Sequence, residues 1–336
     1  LMTDITFDGS SNSYTWNPIG TESVPYTGTF YGGGHIIKGL KVGEKDNVGL
    51  FGVNNGKIYC LGIVEGSIQG GLSVGSICGT NKGIISQCYN TSTVTSSGSN
   101  VGGIVGYQEG EKAKIENCYN TGSISGESNT GGICGQCANG SISTCYNGGS
   151  VSCSSSETVG GVCGNNSSSN NITSCCYNSD VCKDMKPVGE GNDYFNATLK
   201  TSEMTGIGTD RANEKMSGFD TTVWFFTEDK DGMSFYPHLV AFKGSTDPQI
   251  GNKDGLQNLA TKSENSSVLS ALIPMEIRNY ADLVEFSKQV KDNPTLCAEL
   301  QNDITINEGS DKWTVDNDGV LIDKCKGEPI DLDSLN

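Results

Sequence analysis

The sequence predicts an all-β protein: a parallel, right-handed β-helix or solenoid with a small C-terminal α+β extension. Three observations carry this. A Gly-rich apolar run recurs at nearly constant spacing. Each period holds three short β-like runs and no helical pattern. The composition, 46 glycines against 8 prolines in 336 residues and rich in Ser, Thr and Asn, suits strands joined by tight turns, because Gly, Asn and Asp accept positive φ cheaply. The hydrophobic fraction of 35% is low for a globular domain, yet a solenoid tolerates it because its core is a narrow column.

The apolar run appears as Val74–Gly79, Val101–Gly106, Thr130–Gly135 and Val159–Gly164, with a shorter form at Gly49–Gly52. Its closing glycines fall at 52, 79, 106, 135 and 164, at spacings of 27, 27, 29 and 29 residues. A second run follows in four copies: Ser86–Asn90, Glu116–Asn120, Ser143–Asn147 and Ser174–Asn178, each ending Cys-Tyr-Asn. A third run is Ser92–Val94, Ser123–Ser125 and Ser150–Ser152. A period of this length without a helix is one coil of a solenoid. Stacking places equivalent residues in ladders about 4.8 Å apart, so Ile77, Ile104, Ile133 and Val162 are expected to form one core column over residues 47–182. The glycines read as corners or bulges, and the Asn after each Tyr reads as a left-handed corner.

These residues resemble the GLUG-motif repeat family of bacterial surface proteins, in which Gly-Gly-apolar-apolar-Gly precedes an Asn-Cys-Tyr-Asn-Thr-Gly-Ser-Val stretch. The closest copy joins Val101–Gly106 to Asn117–Ile124. The opening segment Trp16–Gly20 with Gly28–Leu40 and the closing segment Val223–Trp224 with Tyr236–Leu239 extend the resemblance over roughly residues 1–240. It implies a module of a large surface protein and names no ligand. Some relatives are joined to zinc peptidases that cut immunoglobulin A. The His-Glu-x-x-His motif of such peptidases is missing here, where the histidines are His35 and His238, so that activity is not carried over.

The domain reading is a GLUG-repeat solenoid over 1–243, a linker or long loop over 244–276, and a helix plus strand over 277–336 that opens a second, truncated solenoid unit or forms a cap. The spacing predicts a helix over 280–291, capped by Asn279 with Asp282 in its first turn, and with Tyr280, Leu283, Phe286 and Val290 as its apolar stripe. A strand at 302–306 follows. Leu300-Gln301-Asn302-Asp303-Ile304-Thr305 echoes Leu1-Met2-Thr3-Asp4-Ile5-Thr6, and Trp313 follows as Trp16 does. The chain opens as if in mid-strand, with no signal peptide, and reads as a piece of something longer. No run of apolar residues is long enough to span a bilayer, so no direct membrane insertion is expected.

Net charge is −17, from 22 basic and 39 acidic residues. That repels nucleic acid, and no basic cluster offsets it. The Asp-Gly turns at Asp229–Gly232 and Asp316–Gly319 fail as calcium loops, since EF-hand spacing puts Thr227 and His238, then Thr314 and Cys325, at the end positions. Cys134 and Cys137 form a Cys-x-x-Cys without the second pair that zinc needs. The tyrosines at 89, 119, 146 and 177 read as a packing ladder in preference to a sugar-binding strip. The acids Glu65, Glu109, Glu111, Glu116, Glu127 and Glu157 lie in turns and out of register. We therefore expect no catalytic, cofactor-binding or metal residues. The expected role is a non-enzymatic, extracellular or cell-surface module for adhesion or rigid display. Its ligand residues are unassigned, its partners a glycan or protein and the other domains of the same polypeptide. The alternative is a carbohydrate-active β-helix enzyme, which would need paired carboxylates on one face. The ladder cysteines, 88, 118, 145 and 176 in one register and 78, 134 and 163 in another, are expected mostly reduced, with Cys175 and Cys182, outside the registers, as the exceptions.

Overall fold

The computed structural model describes residues 4–6, 16–43, 45–154, 158–167, 171–191, 198–206, 212–226 and 236–242, with short segments between 275 and 329. Nearly all regular structure is β, wound as a parallel solenoid. One coil shows the pattern. Ser99–Gly102 and Val105–Gln108 lie in one sheet, Lys114–Glu116 and Tyr119–Asn120 in a second, and Ile124–Gly126 in a third. The next coil repeats it in register: Val101 pairs Thr130, Lys114 pairs Ser141, Tyr119 pairs Tyr146 and Ile124 pairs Val151. We name these the glycine sheet, the tyrosine sheet and the short sheet.

The predicted core column forms. Ile77, Ile104, Ile133 and Val162 are fully buried, and the N–H groups of the first three donate to the carbonyls of Ile104, Ile133 and Val162 at 3.1, 3.0 and 2.9 Å. A column with no exposed edge suits β-branched side chains, which pack tightly on a pleated surface.

The cysteine column differs from expectation in the last coil. Tyr146 pairs with Cys176, and Asn147 with Tyr177. The column is therefore Cys88, Cys118, Cys145 and Cys175, with each sulfur directed at the carbonyl two residues before it at 3.2–3.3 Å. Cys176 falls in the tyrosine register, and Tyr177 turns inward to the place that Asn147 holds one coil earlier. Doubling the cysteine lets the strand slip by one residue, which moves each side chain to the opposite face. The 12 described cysteines are all free.

The corners also differ. The asparagines after the tyrosines are not left-handed. Positive φ falls three residues before Asn90, Asn120 and Asn147, at Gln87, Asn117 and Thr144 (53° each), and four before Asn178, at Ser174 (48°), in keeping with the slipped register of the last coil. Asn90, Asn120 and Asn147 instead build a buried amide ladder, Asn90 Nδ2 donating to Asn120 Oδ1 and Asn120 Nδ2 to Asn147 Oδ1, both at 2.8 Å. Each amide also closes a local turn, as when Gly122 N–H donates to Asn120 Oδ1. A closed ladder satisfies groups that would otherwise be costly to bury. The closing glycines are not corners either. A Cβ on Gly106 would sit 2.3 Å from Val74 N, and one on Gly135 the same distance from Val101 N, so these positions are held to Gly by backbone approach between coils.

After the last coils the chain folds back. Short helices at Thr201–Thr205 and Ala212–Lys215, not anticipated from sequence, precede an antiparallel pair, Trp224–Phe225 with His238–Leu239. This closing pair lies on the tyrosine sheet and does not add a coil. Residues 243–274, most of the expected linker, lie outside the described residues. Of the expected helix, residues 285, 286, 288 and 289 are described and helical. The expected strand appears as Ile304–Thr305, with further strands at Met275–Ile277 and Ala298–Leu300. This segment docks on the N-terminal end of the solenoid: Ile304 pairs Ile5, Ala298 pairs Phe30, and Met275 pairs Ala298, all in parallel. Trp313–Val315 opens a three-stranded antiparallel sheet with Leu321–Asp323 and Glu328–Pro329, unlike the parallel surroundings of Trp16.

Candidate functional site

The short sheet carries the most regular exposed surface. Its inward residues, Ile68, Val94, Ile124 and Val151, feed the core, so the period of two turns their neighbours outward. One outward row is Ser67, Thr93, Ser123 and Ser150, and the other is Gln69, Thr95, Ser125 and Ser152. Ser150 Oγ donates to Ser123 Oγ at 3.0 Å along the first row. From Ser67 and Gln69 onward the two rows hold hydroxyls and one amide without a charge, and the exposed Lys41, paired with Ser67, stands at the head of the first row. A neighbouring ladder adds Ser99 and Ser128 at 2.7 Å and Asn129 donating to Asn100 at 2.9 Å. The result is a neutral donor and acceptor grid with the spacing of the coils.

The tyrosine sheet presents no such surface. Tyr89, Tyr119 and Tyr146 stack at 4.8 and 5.0 Å with rings parallel within 4°. All three are buried, because Trp224, Phe242 and Tyr236 cover them. Tyr146 Oη donates to Pro237 O at 2.6 Å, and Trp224 Nε1 to Asn117 Oδ1 at 3.2 Å. The ladder is therefore packing, as expected, although Tyr177 is not part of it.

The carboxylates are scattered. Glu65 pairs with Lys38 at 2.8 Å, while Glu22 and Glu109 meet at Lys82 Nζ, at 2.6 and 2.8 Å. Hydrogen bonds that the Lys82 ammonium donates to Glu109 and then Glu22 raise its pKa. Glu111 and Glu127 are exposed at other turns, Glu116 lies on the tyrosine sheet, and Glu157 is outside the described residues. His35 sits in the first coil, 3.4 Å from Asp4, and the His238 ring lies 5.1 Å from that of Phe225, tilted by 42°. Cys134 pairs with Cys163 in the core, whereas Cys137 lies between Gln108 and Asn166 in a second buried polar column that begins at Asn54 and Asn81. Among the described residues, no group of three His, Cys, Asp or Glu side chains is arranged to hold a metal ion. Both Asp-Gly turns considered for calcium, at 229–232 and 316–319, lie outside the described residues. No described helix is long and apolar enough to cross a membrane.

The hydroxyl rows are contained in the third run of each coil, Thr-Val-Thr and Ser-apolar-Ser, and the strand period turns them to one face. The amide ladder was hidden because an Asn after an aromatic residue reads as a turn.

Comparison with known proteins agrees with the repeat. The GLUG motif matches residues 97–125, which contain the copy closest to the family pattern. Halomucin of Haloquadratum walsbyi is 35% identical over 88 residues, which is 25% of this chain and 1% of that protein. A crystal structure described as a candidate immunoglobulin A1 protease from Bacteroides ovatus aligns over 70% of this chain and 84% of its own, with 21% identity and a TM-score of 0.49.

Proposed function

We propose that this chain is a non-enzymatic module of a cell-surface or secreted protein. It presents the neutral hydroxyl face of the short sheet to a glycan or protein partner and holds the attached domains of the same polypeptide at a fixed distance. The observation that carries this reading is the pair of in-register rows, Ser67–Thr93–Ser123–Ser150 and Gln69–Thr95–Ser125–Ser152. Exposed hydroxyls exchange water for ligand at little net gain each, so affinity depends on several matched contacts along a repeating partner. A rod of stacked coils supplies that match without paying loop-ordering entropy at binding. The partial likeness to halomucin and the GLUG motif support the surface location.

A glycan array probed with the isolated chain tests the reading. Binding to neutral glycans is expected, and Thr95→Lys with Ser125→Lys should remove it while leaving circular dichroism unchanged. Binding that survives those substitutions, or new reducing ends released from the same glycans, would sink it.

A further inference from the structure

The N-terminal end of the solenoid is a sheet edge occupied by a segment from the other end of the chain. Ile5 pairs with Ile37 on one side and with Ile304 on the other, and Thr6 with Lys38 and Thr305. The strand Phe30–Tyr31 takes Ala298–Glu299, which takes Met275–Glu276. Phe286 is fully buried there, with ring centroids 6.1 Å from Tyr26 and 6.0 Å from Phe30. The occupant repeats the sequence of the coil it covers: Leu300–Thr305 matches Leu1–Thr6 at the Leu, Asp, Ile and Thr positions, and the paired residues are the matching ones.

We propose that this end is a docking seat that takes the strands 275–277, 298–300 and 304–305 and Phe286 of a second copy of the chain, joining copies head to tail. Seat and plug are different surfaces of one chain, so the contact is heterologous and does not close on itself. Exchange leaves every pairing and the Phe286 contact unchanged, and only the connection through 243–274 differs. A stretch of that length, fully extended, reaches at most roughly 100 Å, enough to serve a neighbour. The connection gives the chain's own plug a high effective concentration, so exchange between copies grows as chain concentration approaches that value. The net charge of −17 opposes it at low salt.

The test uses two differently tagged batches of the full chain, unfolded together under reducing conditions and refolded from micromolar towards millimolar concentration. Light scattering and tag co-purification report the product. Mixed dimers and longer chains are expected, their fraction rising with concentration and with salt. Phe286→Asp should reduce them at least about tenfold, since a charge would enter the aromatic seat. Phe286→Ala, milder for folding, should reduce them in the same direction. A Phe286→Asp copy, seat intact, mixed with an Ile5→Asp copy, plug intact, should give a one-to-one dimer and nothing longer. Monomers at every concentration, or oligomers indifferent to both Phe286 substitutions, would overturn the proposal.

Discussion

At the residue scale the fold rests on columns, so single side chains matter through their neighbours above and below. Ile104 has Ile77 and Ile133 as those neighbours and is fully buried. Ile104→Asp would place an unpaired carboxylate in that column and should cost more than about 4 kcal/mol; an unchanged melting temperature would mean that the residue does not face the core. Asn120 is the middle of an amide ladder, so Asn120→Ala strands the Asn90 donor and the Asn147 acceptor together. A loss of about 2–4 kcal/mol is expected from chemical denaturation, and a loss below about 1 kcal/mol would show that water replaces the amide. The thiols give a pH signature. Burial pushes Cys60 and Cys137 from 9.0 up to about 12. Folded-state values above unfolded ones mean stability that is whole below about pH 9 and lost as pH rises towards about 12. The rate is up to about 1.4 kcal/mol per thiol per pH unit. Melting temperature followed from pH 7 to 10.5 should bend downward near 9, and less so in Cys60→Ala.

At the scale of elements, the coils were legible because they recur. The spacing of the closing glycines gave the period, and alternation around Ile124 or Val94 gave each strand a face. What failed was position within the coil. Cys-Cys-Tyr-Asn at 175–178 offers two registers, and the choice between them rests on which residue meets Cys145, a tertiary contact. The Asn of Cys-Tyr-Asn was misread because its partner lies one period away and not nearby in sequence. The fold-back over 198–242 has no period at all, so neither its helices nor its contacts with the tyrosines could be read. Its role is nevertheless testable. Trp224 is buried against Tyr119 and Tyr146, with centroids 6.1 and 5.6 Å away. Trp224→Ala should cost about 3–5 kcal/mol and open the tyrosine stack to solvent, read as increased tyrosine quenching by acrylamide. No change in quenching would mean that the segment does not cover the ladder. The hydroxyl face, by contrast, needed only the strand period to be found once the coils were placed.

At the scale of the whole molecule, a solenoid has two ends, and each exposes unpaired strand edges that invite association. Here the first coil is covered by strands 275–277, 298–300 and 304–305 and by Phe286. The sequence leaves the C-terminal segment as the start of a second unit or as a cap, and its strands pair with the first coil, so removal of residues 245–336 tests what that pairing contributes. Cutting after Phe242 would leave Ile5 and Phe30–Tyr31 paired on one side only, to Ile37 and to Ile58–Tyr59, and would uncover Tyr26 and Phe30, whose rings lie 5.1 and 5.3 Å from that of Phe51. Losing Phe286 alone removes a buried aromatic side chain, about 3–5 kcal/mol by analogy with Phe→Ala in a core. The later coils keep their own ladders, so damage should spread inward from the first coil and not appear everywhere at once. Hydrogen exchange on the shortened chain should therefore show protection lost at residues 5–6 and 29–38 and retained at 101–137. Dynamic light scattering should show the shortened chain associating through its uncovered end at concentrations lower than the full chain needs, because no plug of its own competes for that edge. Equal protection at 29–38 in both chains, with the shortened one monomeric, would show that the end needs no cover.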